Sequence, residues 1–176
     1  MGNTNKKQTK CLVIGIDNSG KSTLINQLKP QYERSNELYA TVGFQVEKFK
    51  HNKTNFIMFD MSGQSKYRNL WLHYINEISS IIFVIDSCDT MRVCIVRDEL
   101  DILLQQPYIQ KNIHIPILFY ANKCDLSKSL TPSQLSDVLQ LNKLCHNRQW
   151  TIVASNALNG TGVEEGIQWL TTHVTG

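Results

Sequence analysis

Short, unbroken apolar runs alternate with stretches whose apolar residues recur at helical spacing. The runs are residues 11–16, 56–60, 80–86, 115–122 and 150–154. Several are continuous Val, Ile, Leu and Phe, the pattern of parallel strands covered on both faces. Helical patterns fill the gaps at 22–28, 90–106, 131–139 and 162–174. The third opens on Thr131-Pro132, an N-cap followed by a first-turn proline.

One pair breaks the alternation. Strand-like residues 42–50 and 55–60 are separated only by His51-Asn52-Lys53-Thr54. That link is too short for a helical crossover, so the two runs form an antiparallel hairpin. The expected fold is α/β: a three-layer sandwich with a mostly parallel sheet, one antiparallel edge hairpin and helices on both faces. Such sheets bind ligands beyond the carboxyl ends of their strands.

A chain of 176 residues is sized for one domain with a real core. Residues 10–176 are read as that domain, behind a polar leading segment, 1–9. A net charge of +3 argues against a nucleic-acid partner. The longest apolar stretch is residues 115–121, and it contains Pro116, whereas a membrane span needs about 20 residues. The leading residues lack an apolar signal core. The five cysteines have neither an even count nor C-x-x-C spacing. They read as reduced thiols of a cytosolic protein rather than a disulfide framework or a zinc site, and a monomer is expected.

Three segments carry chemistry, each at a strand end. Gly15-Ile16-Asp17-Asn18-Ser19-Gly20-Lys21-Ser22 matches G-x-x-x-x-G-K-[ST], after a strand and opening a helix. Backbone N–H groups around Asp17, Asn18, Ser19 and Gly20 can close on phosphate oxygens, helped by the helix N-terminus. Lys21 adds a cation for the β- and γ-phosphates, Thr23 continues the helix beside them, and the Ser22 hydroxyl is a hard oxygen suited to Mg²⁺.

Asp60-Met61-Ser62-Gly63-Gln64 follows the second hairpin strand. Asp60 can hold Mg²⁺ through its water shell. Gly63 lets a backbone N–H approach a γ-phosphate, and Gln64 can orient a water for in-line attack. Alone, this would be a polar turn; after a phosphate loop it reads as chemistry. Asn122-Lys123-Cys124-Asp125 ends the run at 115–122. A carboxylate at Asp125 accepts both donors of the guanine edge, which adenine lacks. Asn122 can tie this loop to the phosphate loop, and the stem of Lys123 can lie over the base.

These segments, with Thr41-Val42-Gly43-Phe44, Tyr67-Arg68-Asn69-Leu70-Trp71 and His73-Tyr74, resemble the Arf branch of the Ras-superfamily small GTPases. The resemblance spans about residues 10–174, and the spellings V-G-F-Q-V-E-K-F-K, F-D-M-S-G-Q and Y-R-N-L-W are similar to its ciliary subgroup. It implies a switch that binds GTP and GDP with Mg²⁺ and hydrolyses GTP slowly. An exchange factor, a GTPase-activating protein and an effector, the ciliary BBSome coat, would act through switch I, the interswitch hairpin and switch II. The implied location is cytoplasmic, the cilium base or the membrane periphery. Thr41 becomes the switch I ligand of Mg²⁺, beside Ser22 and Asp60. Lys21, Gly63 and Gln64 become the catalytic set. Asn156, Ala157 and Leu158 take the place of the last guanine loop, the Ala157 N–H facing the guanine oxygen. Phe44, Phe59 and Tyr74 match the aromatic effector cluster. Arf proteins usually start with a myristoylated amphipathic helix. Here Gly2 is followed by Lys6 where the acylation pattern wants Ser or Thr, so weak membrane attachment is expected. A nucleotide kinase, or a GTP-binding module without useful hydrolysis, stands as the alternative. The kinase reading lacks an arginine-rich lid, with five arginines in the chain.

Overall fold

The computed structural model describes residues 8–174. Residues 1–7 of the leading segment, with Gly2 and Lys6, lie outside the described residues. The strands are β1 (Gln8–Ile14), β2 (Phe44–His51), β3 (Thr54–Met61), β4 (Ser80–Asp86), β5 (Ile117–Asn122) and β6 (Trp150–Ser155). The helices are α1 (Lys21–Leu28), α2 (Trp71–Tyr74), α3 (Val93–Leu104), α4 (Pro107–Lys111), α5 (Pro132–Leu139), α6 (Leu141–Leu144) and α7 (Val163–His173). They surround one six-stranded sheet of order β2-β3-β1-β4-β5-β6, in which β2 is antiparallel to β3 and the other neighbours are parallel.

Side-chain alternation divides the core into two layers. Leu12 and Ile14 of β1, Phe83 of β4 and Phe119 of β5 point to the face covered by α3 and α5. Cys11, Val13, Val84 and Tyr120 point to the opposite face, under Leu24 of α1 and Ile167 of α7. Both faces being covered, the central strands carry no polar alternation, and all six residues of β5 are buried.

The elements differ from the sequence reading mainly at their ends. β1 begins at Gln8 because Gln8, Thr9 and Lys10 pair with Asn55, Phe56 and Ile57 of β3. Thr9, read as part of the polar leading segment, is buried. The hairpin link is shorter than its four expected residues, since His51 and Thr54 are themselves a strand pair. Asn52 makes the turn at φ 52, a left-handed conformation that asparagine tolerates better than most residues. The helix expected over 90–106 starts as a tighter turn, Thr90–Arg92, before α3. At α5 the Thr131 hydroxyl accepts from the Gln134 N–H, and the Gln134 side chain accepts from the Thr131 N–H, a complete capping box. The short helical turns over 65–77 have no clear helical period and escape a sequence reading. Among the described residues no helix is long and apolar enough to cross a membrane.

Candidate nucleotide site

The carboxyl ends of β1, β3 and β5 carry the three chemical segments to one rim of the sheet. Between β1 and α1 the chain turns through Gly15 at φ 149, Asn18 at φ 62 and Gly20 at φ 98. A Cβ on Gly15 would lie 2.2 Å from the Val84 carbonyl oxygen, and one on Gly20 would lie 2.2 Å from the Asn122 side-chain nitrogen. Both positions therefore require glycine for space as well as for backbone conformation.

This loop wraps the Lys21 side chain, whose Nζ donates to the Ile16 carbonyl at 3.0 Å. Burial pulls the Lys21 ammonium down to about 8, against the attraction of Asp60 and Asp17. Further negative charge placed beside Lys21 would favour its ammonium form.

Ser22 sits one residue further along α1, and its hydroxyl donates to Asp60 Oδ2 at 2.5 Å. The Thr41 hydroxyl lies 3.0 Å from Ser22 Oγ and donates to the same Asp60 oxygen at 3.2 Å. The three residues proposed from sequence as metal ligands thus meet at one point. Burial raises the Asp60 pKa, opposed by the bond from Ser22 and the charge of Lys21. Asp60 Oδ1 and Ser19 Oγ are the buried side-chain oxygens without a hydrogen-bond partner among the described residues. An orphaned carboxylate oxygen beside two hydroxyls is a hard-oxygen set that fits Mg²⁺.

Gly63 closes the site from the other side. Its carbonyl accepts from the Asp17 N–H at 3.1 Å and from Arg68 Nε at 3.0 Å. A Cβ on Gly63 would stand 2.3 Å from Asp17 N. Gln64 follows at the mouth of a cleft of about 340 Å³, which is also lined by Asp17, Asn18, Lys21 and Thr41.

The base end is a second hollow of about 180 Å³, lined by Asn122, Lys123, Asp125, Asn156, Ala157 and Leu158. Gly20 and Thr23 border both hollows, so they form one continuous groove. Asn122 donates to the Ser19 carbonyl at 2.8 Å and accepts from Ser155 Oγ at 3.2 Å. Lys123, at φ 65, places its ammonium 2.6 Å from Asp86 and leaves its stem along the hollow. Asp125 is exposed at the rim.

The last loop, which lines the same hollow, is also bonded to the protein itself. The Ala157 N–H, expected to face the guanine oxygen, donates to Asn122 Oδ1 at 3.0 Å. The Asn156 side chain accepts from the Leu158 N–H at 3.0 Å, so it shapes the loop from within. Its own backbone is tied to Thr161 and Gly160.

Four contributors have no signal in the sequence. Asp86 holds Lys123. Glu99 pairs with Arg68 at 2.6 Å and so fixes Gly63 to α3. Arg92 pairs with Asp17 at 2.8 Å. Val46 stands opposite Phe59 in the hairpin, exposed beside the aromatic cluster. In that cluster Tyr74 lies 4.8 Å from Phe44 and 5.1 Å from Phe59, measured between ring centres. Phe44 is exposed whereas Phe59 is buried, so Phe59 supports the patch from beneath. Arg34 donates to the carbonyls of Gln27 and Lys29 and closes the C-terminal end of α1.

A phosphate loop, a paired-hydroxyl carboxylate and a base hollow on this sheet define a nucleotide-dependent switch of the P-loop class. The chain belongs to the ADP-ribosylation factor family, whose model matches residues 1–174. It is 48% identical over 165 residues to ADP-ribosylation factor-like protein 6 of Danio rerio, covering 94% of this chain and 88% of the relative. It is 38% identical over 170 residues to the protein of the same description in Caenorhabditis elegans, covering 97% and 88%. Its fold superposes on the Arl6 BBS3 small GTPase from Trypanosoma brucei with bound nucleotide analogue GppNp, at a TM-score of 0.90 and 39% identity. That match covers 96% of this chain and 98% of the other. The chain is accordingly a GTP-binding switch that hydrolyses GTP and works through exchange, activating and effector proteins.

Proposed function

We propose that this switch recruits a ciliary coat of the BBSome type when loaded with GTP, and that Ser22, Thr41 and Asp60 hold its Mg²⁺. The observation that carries the reading is the convergence of the Thr41 and Ser22 hydroxyls on Asp60 Oδ2. Thr41 belongs to the segment before β2, and Asp60 to the end of β3. A ligand that holds Thr41 inward therefore also sets the hairpin surface carrying Phe44 and Val46. Held by Ser22, Thr41 and Asp60, Mg²⁺ would supply positive charge against the phosphates of the nucleotide.

The chain's own residues do the rest. Lys21 binds the phosphates from below. The Gly63 N–H and the Thr41 backbone meet the γ-phosphate, so its loss releases both segments. Gln64, next to Gly63 at the cleft mouth, orients the attacking water. Asp125 reads guanine by accepting its two edge donors, while Asn122 keeps that loop in register with the phosphate loop. The ciliary part rests on the relatives' identity and on the exposed Phe44 and Val46 over buried Phe59.

The test is capture of the purified coat by immobilised protein loaded with GDP or with a non-hydrolysable GTP analogue, in Mg²⁺ and in EDTA. The expected result is capture by the analogue form alone, lost in Phe44→Ala. Equal capture in both nucleotide states would refute the gated reading. Nucleotide release that ignores EDTA would refute the Mg²⁺ assignment.

A further inference from the structure

Arg92 lies on the turn Thr90–Arg92 that leads into α3, 75 residues from Asp17 in sequence. All of its guanidinium nitrogens are engaged. Nη1 donates to Asp17 Oδ1 at 2.8 Å, Nη2 to the Asp17 carbonyl at 3.2 Å, and Nε to Asp89 Oδ2 at 2.5 Å. This two-point grip on one residue fixes both its side chain and its backbone.

Asp17 is the third residue of the phosphate loop. It lines the phosphate end of the cleft with Gln64, and its N–H is bonded to the Gly63 carbonyl. A free carboxylate there would face the negative charge of a triphosphate and of its transition state. It would also compete with Gln64 for the water. Neither the phosphate loop nor the residues beside Thr41 include an arginine that could offset this charge. Tertiary structure supplies the compensation from α3.

We propose that Arg92 is a positioning residue for GTP turnover, holding the Asp17 carboxylate away from the γ-phosphate. Arg92 stands behind the loop, outside the lining of the cleft, with its donors committed to Asp17 and Asp89. It therefore acts through Asp17 rather than on the phosphates. The effect falls on the triphosphate more than on the diphosphate, because only the γ-phosphate extends toward this end of the loop. The inference rests on the assignment of Asp17 to the phosphate end of the groove.

The experiment measures GTP and GDP affinities and single-turnover hydrolysis, with Mg²⁺, for the wild type, Arg92→Ala, Arg92→Lys, Asp17→Asn and the Arg92→Ala/Asp17→Asn pair. Arg92→Ala is expected to weaken GTP relative to GDP and to slow hydrolysis, each by about tenfold, the size of coupling between contacting charged residues. Arg92→Lys, which keeps the charge but not the two-point grip, falls between. Adding Asp17→Asn to Arg92→Ala recovers most of the loss, because the offending charge is gone. A purely structural staple gives the opposite pattern: equal loss for both nucleotides and no recovery in the double variant, which would overturn the proposal. If Arg92→Ala does not fold, Arg92→Lys and Asp17→Asn, alone and combined, carry the test through the ratio of GTP to GDP affinity. A ratio that Asp17→Asn moves but Arg92→Lys does not overturns the clamp alone. A ratio that Arg92→Lys lowers equally with and without Asp17→Asn removes Asp17 from the phosphate end, and the site assignment falls with the clamp.

Discussion

The side chain of Asn122 donates to the carbonyl of Ser19 at 2.8 Å, across 103 residues of sequence. With its oxygen it accepts from Ser155 and Ala157. One buried amide therefore ties the base hollow, the phosphate loop and the last loop into a single body.

Replacing Asn122 by Ala breaks all of these bonds and leaves buried partners unpaired. Each such loss costs about 1–3 kcal/mol. The expected outcome is a fall in guanine-nucleotide affinity of roughly 100-fold or more, measured from the dissociation rate of a fluorescent GDP. The loss should be similar for GDP and GTP, since both need the tied loops. A change below fivefold would show that the tie is not required.

Asp125→Asn exchanges an acceptor pair for one donor and one acceptor. The substitution should weaken GTP binding by roughly 100-fold, the worth of charged hydrogen bonds to two donors. Relative binding of a xanthine nucleotide should improve, because its edge carries an acceptor where guanine has a donor. Competition of ATP with GTP at equal strength on the wild type would refute this reading.

Gln64→Leu removes the group expected to orient water and leaves the phosphate contacts in place. Turnover stimulated by an activating protein should fall by roughly 10²–10⁴, with nucleotide affinity nearly intact. Single-turnover phosphate release tests this, and an unchanged stimulated rate would take Gln64 out of the mechanism. The isolated wild type should hydrolyse over many minutes or longer, since an arginine supplied in trans is worth about 10³–10⁵.

Gly63→Ala tests the closure of the site. Its methyl would press on the backbone of Ile16 and Asp17, at 2.3 Å in the present arrangement. The segment after β3 must then withdraw, and with it the bond from the Asp17 N–H. GDP should still bind, whereas the analogue-loaded state should lose its effector. Retained analogue-dependent capture would contradict this.

Nucleotide binding should take up protons on the alkaline side. Burial places the Lys21 ammonium at about 8 in the free protein, against about 10.5 in solution. Phosphate favours its charged form. Below about pH 8 the lysine is already charged, and affinity is insensitive to it. As the pH rises above about 8, each binding event must reprotonate it, so affinity declines. For the free fold the sign is opposite. The buried charge is unfavourable below about pH 8, and this penalty fades as the pH rises from there toward 10.5. Calorimetry at pH 9 in buffers of different ionisation enthalpy should show proton uptake with GDP. Its absence would place Lys21 in a charged state throughout.

The sequence by itself determined the architecture and the chemical segments. Continuous β-branched runs separated by helical periods can satisfy their apolar faces only in a covered parallel sheet, and the short link at 51–54 allows only a hairpin. Glycines at 15, 20 and 63 and the Lys21, Asp60, Asn122 and Asp125 side chains belong to local patterns whose spacing is itself the signal. Tertiary structure alone decided how those segments engage one another. That Arg92 grips Asp17 and that Glu99 steadies Arg68 depends on elements distant in sequence. Lone charges on a surface carry no period or motif. Their partners are set only when β3, β1 and β4 align and bring α3 over the phosphate loop. The Ala157 N–H makes the same point, because its bond to Asn122 follows from the register of β5 against β6 rather than from the letters Asn156-Ala157-Leu158.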